Sequence, residues 1–216
     1  MTKDWVRWHR DYETPGSSLA RRLTVVQDYL GRALGEGPLI SLCAGDGRDV
    51  LPELARRRSV RAVLVELDPE LSRRARTTAA ELGLTGVDVR TADAGDATNY
   101  RDAAPAQVVM ACGVFGNISE TDVRRTVAAL PSLLEPGGIV IWTRGRGDSG
   151  ADPSDAVRGL FAENGFEEMA FARPADARFR VGMHRLVTEP GPPVAGRLFA
   201  FRAPQPPPGR GGRVAR

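Results

Sequence analysis

The chain has 216 residues, a length that supports one α/β domain with a substantial core. Its 30 basic and 27 acidic side chains nearly cancel, leaving a formal net charge of +3; this speaks for a solvated, arginine-rich surface and against a dedicated nucleic-acid face. No apolar run approaches the ~20 residues needed to cross a bilayer, and the opening residues are polar and aromatic rather than a secretory leader.

The only cysteines, Cys43 and Cys112, both lie in apolar runs and match no zinc spacing. The expectation is a cytoplasmic protein with reduced, buried thiols and no bound metal. Residues 1–12 carry Trp5, Trp8, His9 and Tyr12 close together. Ser17 or Ser18 can cap a helix reaching about residue 34, with Leu19, Leu23, Val26 and Leu30 on one stripe. Residues 1–36 therefore read as a short N-terminal helical cap.

Residues 39–43 are a short apolar run, the pattern of a strand buried on both faces. A turn of small residues, Ala44-Gly45-Asp46-Gly47, follows, and a helix is expected over 48–57. Residues 61–66 read as a second strand ending on Glu66-Leu67-Asp68-Pro69, with Asp68 and Pro69 opening the next helix. Residues 87–91 form a third strand, closing on Ala92-Asp93-Ala94. A fourth spans 107–112, and Ser119 begins a capping box for a helix that Pro131 should kink or split.

Glu135-Pro136-Gly137-Gly138 is expected to turn into a fifth strand at 139–143, and a helix should run from Pro153 to Asn164-Gly165. Three short strands at 166–171, 179–186 and 198–201 then suggest an antiparallel edge. Residues 204–216 are rich in proline, glycine and arginine and read as a disordered tail. The expected fold is a Rossmann-like, doubly wound, mostly parallel sheet over residues 37–203, with an antiparallel C-terminal edge.

In such a sheet, ligands sit beyond the carboxyl ends of the strands. The first strand offers a glycine turn. The second ends in Glu66, about 20 residues further on, where an acid reaches ribose hydroxyls. The third ends in Asp93, a carboxylate able to accept from an adenine amino group. That set suits an adenosine ligand and disfavours one with a phosphate on the ribose.

Five stretches in register resemble the class I S-adenosylmethionine-dependent methyltransferases: residues 42–48, 65–69, 92–94, 108–112 and 134–140. The resemblance implies S-adenosylmethionine as cofactor. It places Gly45 and Gly47, with Ala44 and Asp46, under the methionine part. Glu66 would hold the ribose, and Leu67 would pack on the adenine. Asp93, with the Ala94 backbone, would meet the adenine amino group, while Ala111 and Cys112 would lie near the sulfonium. Ser41 and Cys43 depart from the family's usual acid and first glycine.

Methyl transfer needs alignment more than a fixed catalytic motif. Tyr12 at the cap, Asn117 after the fourth strand and His184 on a late strand are the candidates to orient or deprotonate an acceptor. The expected partner is a small-molecule acceptor, with a homodimer possible, nucleic acid disfavoured and no membrane. The alternatives are an RNA or protein acceptor, or transfer of the cofactor's aminocarboxypropyl chain.

Overall fold

The computed structural model describes residues 10–147 and 152–202. The expected tail at 204–216 and the aromatic residues Trp5, Trp8 and His9 lie outside them. A 3-10 turn at Arg10–Glu13 leads into α1, Ser18–Ala33, whose start is fixed by the Ser17 side chain accepting from the Ala20 amide.

Strands and helices then alternate: β1 (Leu39–Leu42), α2 (Leu51–Ala55), β2 (Ala62–Glu66), α3 (Pro69–Glu81), β3 (Val87–Thr91), β4 (Ala106–Ala111), α4 (Glu120–Ala129), β5 (Leu134–Gly145), α5 (Pro153–Glu163), β6 (Phe166–Ala172) and β7 (Phe179–Leu186). The seven strands form one sheet in the order β3-β2-β1-β4-β5-β7-β6. β1 to β5 are parallel, and β7 joins β5 and β6 antiparallel. The strand order reverses between β1 and β4, which is where such a sheet opens a crevice.

Successive residues of the central strands bury opposite faces. Ile40 and Leu42 pack with Val65 and Val109 toward α4 and α5, where Val127 and Phe161 lie. Leu39, Leu64 and Val108 face α1, α2 and α3, meeting Leu30, Leu54 and Ala75. Edge strand β3 is only part-buried. No helix among the described residues is long and apolar enough to cross a membrane.

Three sequence expectations are corrected. Helix α2 begins at Leu51 rather than residue 48, because Cys43, Gly45 and Gly47 all take positive φ and the chain spends residues 43–50 in consecutive turns. The expected turn at 135–138 lies inside β5, absorbed by a register shift opposite Ala106 and Val108. The third late strand, 198–201, does not form. Residues 197–201 instead make only isolated bridges, Arg197 to Asp96 and Phe201 to Ile118, as a strap across the loops that follow β3 and β4. Pro131 acts as expected: α4 ends at Ala129 and passes into a 3-10 turn, Leu130–Leu133.

Candidate active site

A cavity of about 530 Å³ opens over the carboxyl ends of β1, β2, β3 and β4, within the usual range for a small-molecule site. Its floor is the loop after β1. Cys43 has a φ of +57°, a left-handed conformation that glycine ordinarily supplies and that costs a β-carbon-bearing residue energy. The backbone therefore bends here in a glycine-like conformation although Cys43 stands in place of the family's usual first glycine. Gly47, with a φ of +76°, is required sterically as well: a β-carbon there would lie 2.7 Å from Leu51 Cδ1.

Glu66 at the tip of β2 ties this loop to its neighbour. Its Oε2 accepts from the Gly45 amide and its Oε1 from the Asp68 amide, both at 2.8 Å. Asp68 in turn caps α3 through the Glu70 and Leu71 amides. At the β3 tip, Asp93 Oδ1 accepts from the Gly95 amide and Oδ2 from Arg197 Nη1, each at 2.8 Å. Leu67, 66% exposed, and Phe201, 39% exposed, are large apolar side chains that both border the cavity.

The opposite end of the cavity is built by Tyr12, Arg22, Asp49 and Cys112. The Arg22 guanidinium donates to the Tyr12 hydroxyl, and the Arg48 guanidinium stacks 4.7 Å from the Tyr12 ring centroid. Arg48 also donates through Nε to both oxygens of Asp46, at 2.8 and 3.0 Å. Burial is the main cause that pushes the Tyr12 phenol up to about 12, so it enters any reaction neutral, as an orienting group rather than a phenolate. Burial likewise pushes both the Cys43 and Cys112 thiols up, which makes them poor nucleophiles.

The structure brings Ala44, Gly45, Asp46, Glu66, Leu67, Asp93, Ala94, Cys112 and Tyr12 to this one cavity. Four expected residues fall outside its wall. Gly47 faces α2. Ala111 is fully buried at the end of β4. Asn117 is a turn residue: its Nδ2 donates to the Gly113 carbonyl at 2.6 Å, and its own carbonyl accepts from the Arg202 amide.

His184 is also corrected, since it is 1% exposed and stacked 4.4 Å from the Phe161 ring, with Nδ1 accepting from Trp142 Nε1 at 3.1 Å. Burial, as the first cause, holds its imidazole down to about 4. The unfolded chain, with a histidine near about 6.5, takes up this proton first, so the stabilisation is present above that pH and is lost as pH falls toward about 4. His184→Gln should flatten that acid loss in urea titrations, cost about 1–3 kcal/mol of stability because the flexible amide fills the space between Trp142 and Phe161 less well than the ring, and leave cofactor affinity unchanged.

Sequence reasoning missed Arg22, Asp49, Arg197, Phe199 and Phe201, all on the cavity wall. Asp49 and Arg22 carried one faint signal, as charges beside an otherwise apolar helical pattern. Among the described residues no cluster of His, Cys, Asp and Glu could hold a metal ion.

Residues 40–138 match the family described as "Methyltransferase domain". No curated protein matches the chain. Among solved structures, an O-methyltransferase family protein from Burkholderia thailandensis is similar with a TM-score of 0.61 at 17% identity, over 77% of this chain and 55% of that one. Magnesium protoporphyrin IX methyltransferase from Synechocystis, solved with bound S-adenosylmethionine, aligns at 14% identity over 85% of this chain and 91% of that one, with a TM-score of 0.64. An RNA methyltransferase from Salinibacter ruber, in complex with S-adenosylhomocysteine, reaches 23% identity over 77% and 92%, with a TM-score of 0.51. Residues 40–138 thus carry a match to a methyltransferase domain, set in the fold that these solved structures share.

Proposed function

We propose that the protein binds S-adenosylmethionine in this cavity and transfers its methyl group to a small-molecule nucleophile in the cytoplasm. The observation that carries the reading is the convergence of Glu66, Asp93 and the bare Gly45 backbone on one cavity. The donor set fits the cofactor: carboxylates for ribose hydroxyls and an adenine amino group, and apolar Leu67 and Phe201 for the faces of the base. When bound, the cofactor supplies a methyl group already made electrophilic by its sulfonium. The protein's share is to align an acceptor beside Cys112 and Gly113 and to keep water away, with Tyr12 closing that end.

A small acceptor is favoured by the enclosure of the site beneath Tyr12 and the C-terminal strap. An RNA acceptor is the second reading, supported by a shallow depression next to the cavity that Arg48, Arg73 and Arg74 line. Arg73 and Arg74 both pair with Glu70, which weakens that support. The test uses methyl-labelled S-adenosylmethionine with separate metabolite, RNA and protein fractions. Label recovered in the metabolite fraction, with S-adenosylhomocysteine as by-product, is the expected result. Label in RNA would overturn the small acceptor, and methylthioadenosine as by-product would overturn methyl transfer.

A further inference from the structure

We propose that Arg144, at the tip of β5, and Arg202, at the end of the C-terminal strap, form an anion-binding subsite beside the Cys112–Gly113 end of the cavity, so that the acceptor is a small molecule carrying a carboxylate or phosphate group. This names an acceptor class for the function proposed above and rests on that reading.

The sheet register brings Arg144 level with the cavity rim. Ala111 at the end of β4 pairs with Trp142 of β5, so two residues further on Gly113 and Arg144 stand at the same height. The Gly113 amide donates to Thr143 Oγ1 at 2.8 Å, which ties the two tips together, and Gly113 itself lines the cavity. Strand alternation puts the Arg144 side chain on the face of Val140 and Trp142, toward α4 and α5. The strap brings the second arginine. The Arg202 amide donates to the Asn117 carbonyl at 2.8 Å and its guanidinium to the Ile118 carbonyl, and its charge is felt by Arg144.

Arg144 is part-buried, yet among the described residues no hydrogen bond or ion pair reaches its side chain. Arg180 stands directly opposite it across β5 and β7, a position where like charges destabilise. Arg180 also takes the acid that Arg144 could otherwise use: its Nε donates to Asp152 Oδ2 at 2.6 Å. Arg173 lies 3.4 Å from the same oxygen, and Asp152 Oδ1 accepts from the Ser154 amide and hydroxyl. Glu120, at the start of α4, acts on Arg144 only through its charge. Burial, as the first cause, lowers the pKa of the Arg144 guanidinium from its usual value.

A part-buried cation with Arg180 and Arg202 for neighbours and no acceptor of its own is costly. An oxyanion supplies the missing charge and two acceptors at once, which suits the planar fork of Arg144. Arg202 has five donors, so holding the Ile118 carbonyl leaves it able to share the anion. Glu120 and Asp152 flank the pair, which favours a single anionic group over a chain of phosphates. An acceptor anchored here lays its other end toward Gly113 and Cys112.

The test uses the full chain, methyl-labelled S-adenosylmethionine and a metabolite extract divided beforehand on an anion exchanger into retained and flow-through pools. Label should enter the retained pool. If phosphatase treatment of that pool abolishes the product, the group is a phosphate; if the product persists, it is a carboxylate. Arg144→Gln should raise the concentration of retained pool needed for half-maximal labelling about 10- to 100-fold, the worth of one charged hydrogen bond, with the maximal rate little changed. Arg144→Lys should recover part of that loss, and Arg202→Gln should shift the same constant in the same direction. S-adenosylhomocysteine affinity, measured by calorimetry, should stay at the wild-type value in all three variants, which also shows that they fold. Label entering the flow-through pool as readily, or wild-type labelling by both glutamine variants, overturns the subsite and leaves the methyltransferase reading intact. Label in RNA alone, or in neither pool, overturns the small acceptor and this proposal with it.

Discussion

Glu66→Ala is expected to lower the affinity for S-adenosylhomocysteine by about 10- to 100-fold, the loss of one charge-assisted hydrogen bond to the ribose. It should also lower the melting temperature, because this carboxylate is a structural part of the loop. Oε2 and Oε1 each accept a backbone amide at 2.8 Å, from Gly45 and Asp68. Removing them leaves two shielded donors without that partner, at about 1–3 kcal/mol each where water cannot replace it. Two measurements separate the roles. Wild-type protein should prefer S-adenosylhomocysteine to its 2′,3′-dideoxy analogue, and Glu66→Ala should lose that preference. Glu66→Gln keeps one acceptor oxygen and should fall between the two in both melting temperature and affinity. If Glu66→Ala destabilises the protein yet retains the full preference for ribose hydroxyls, Glu66 supports the loop and does not touch the ribose.

That double role shows how far the sequence could be read. The position of Glu66 at a strand tip follows from the apolar run before it and the Asp68-Pro69 helix start after it, both local signals. The same holds for α1 with its Ser17 cap, for the break at Pro131, and for β7, whose bounds are legible from the pattern alone. The use of the carboxylate to pin the Gly45 amide is not legible, since it depends on how two adjacent βα loops meet.

His184 illustrates the opposite error. A lone histidine on a strand suggests a base, but its face of β7 packs against Trp142 and Phe161, and only the register with β5 decides which face that is. Asp49 was hidden for a related reason. The turns enforced by Cys43, Gly45 and Gly47 delay α2 until Leu51, so residue 49 belongs to the cavity rather than to a solvated helix face.

The C-terminal strap, expected as an edge strand at 198–201, was the largest misreading, because its partners lie far off in the chain: Arg197 reaches Asp93 across a separation of 104 positions. No local period reports such a contact. One position nonetheless records it. A β-carbon added at Gly95 would lie 2.1 Å from the Phe199 carbonyl oxygen, 3.0 Å from Asp93 Oδ1 and 3.2 Å from Arg197 Nη1. The first of these is backbone and cannot swing aside.

Gly95→Ala is therefore expected to lift the strap, breaking the 2.7 Å bond from the Leu198 amide to the Gly95 carbonyl and loosening the buried Leu198 and Phe199. The cost should be about 1–3 kcal/mol, the usual range for forcing a methyl into packed space. At ~2–4 °C per kcal/mol for a chain of this size, the melting temperature should fall visibly. Affinity for both S-adenosylhomocysteine and adenosine should fall together, because Arg197, Phe199 and Phe201 wall the adenine end.

Arg197→Gln provides the control. Its ion pair with Asp93 is about half exposed on both sides, where solvent screens it, so the melting temperature should hardly change. If Gly95→Ala melts and binds adenosine as the wild type does, the strap does not lie against the β3 tip. Loss of stability without loss of adenosine binding would mean that the strap packs on the domain without forming part of the ligand wall. A joint loss in Gly95→Ala, absent from Arg197→Gln, would make the C-terminal segment a part of the binding site held there by its backbone and its two phenylalanines rather than by its charge.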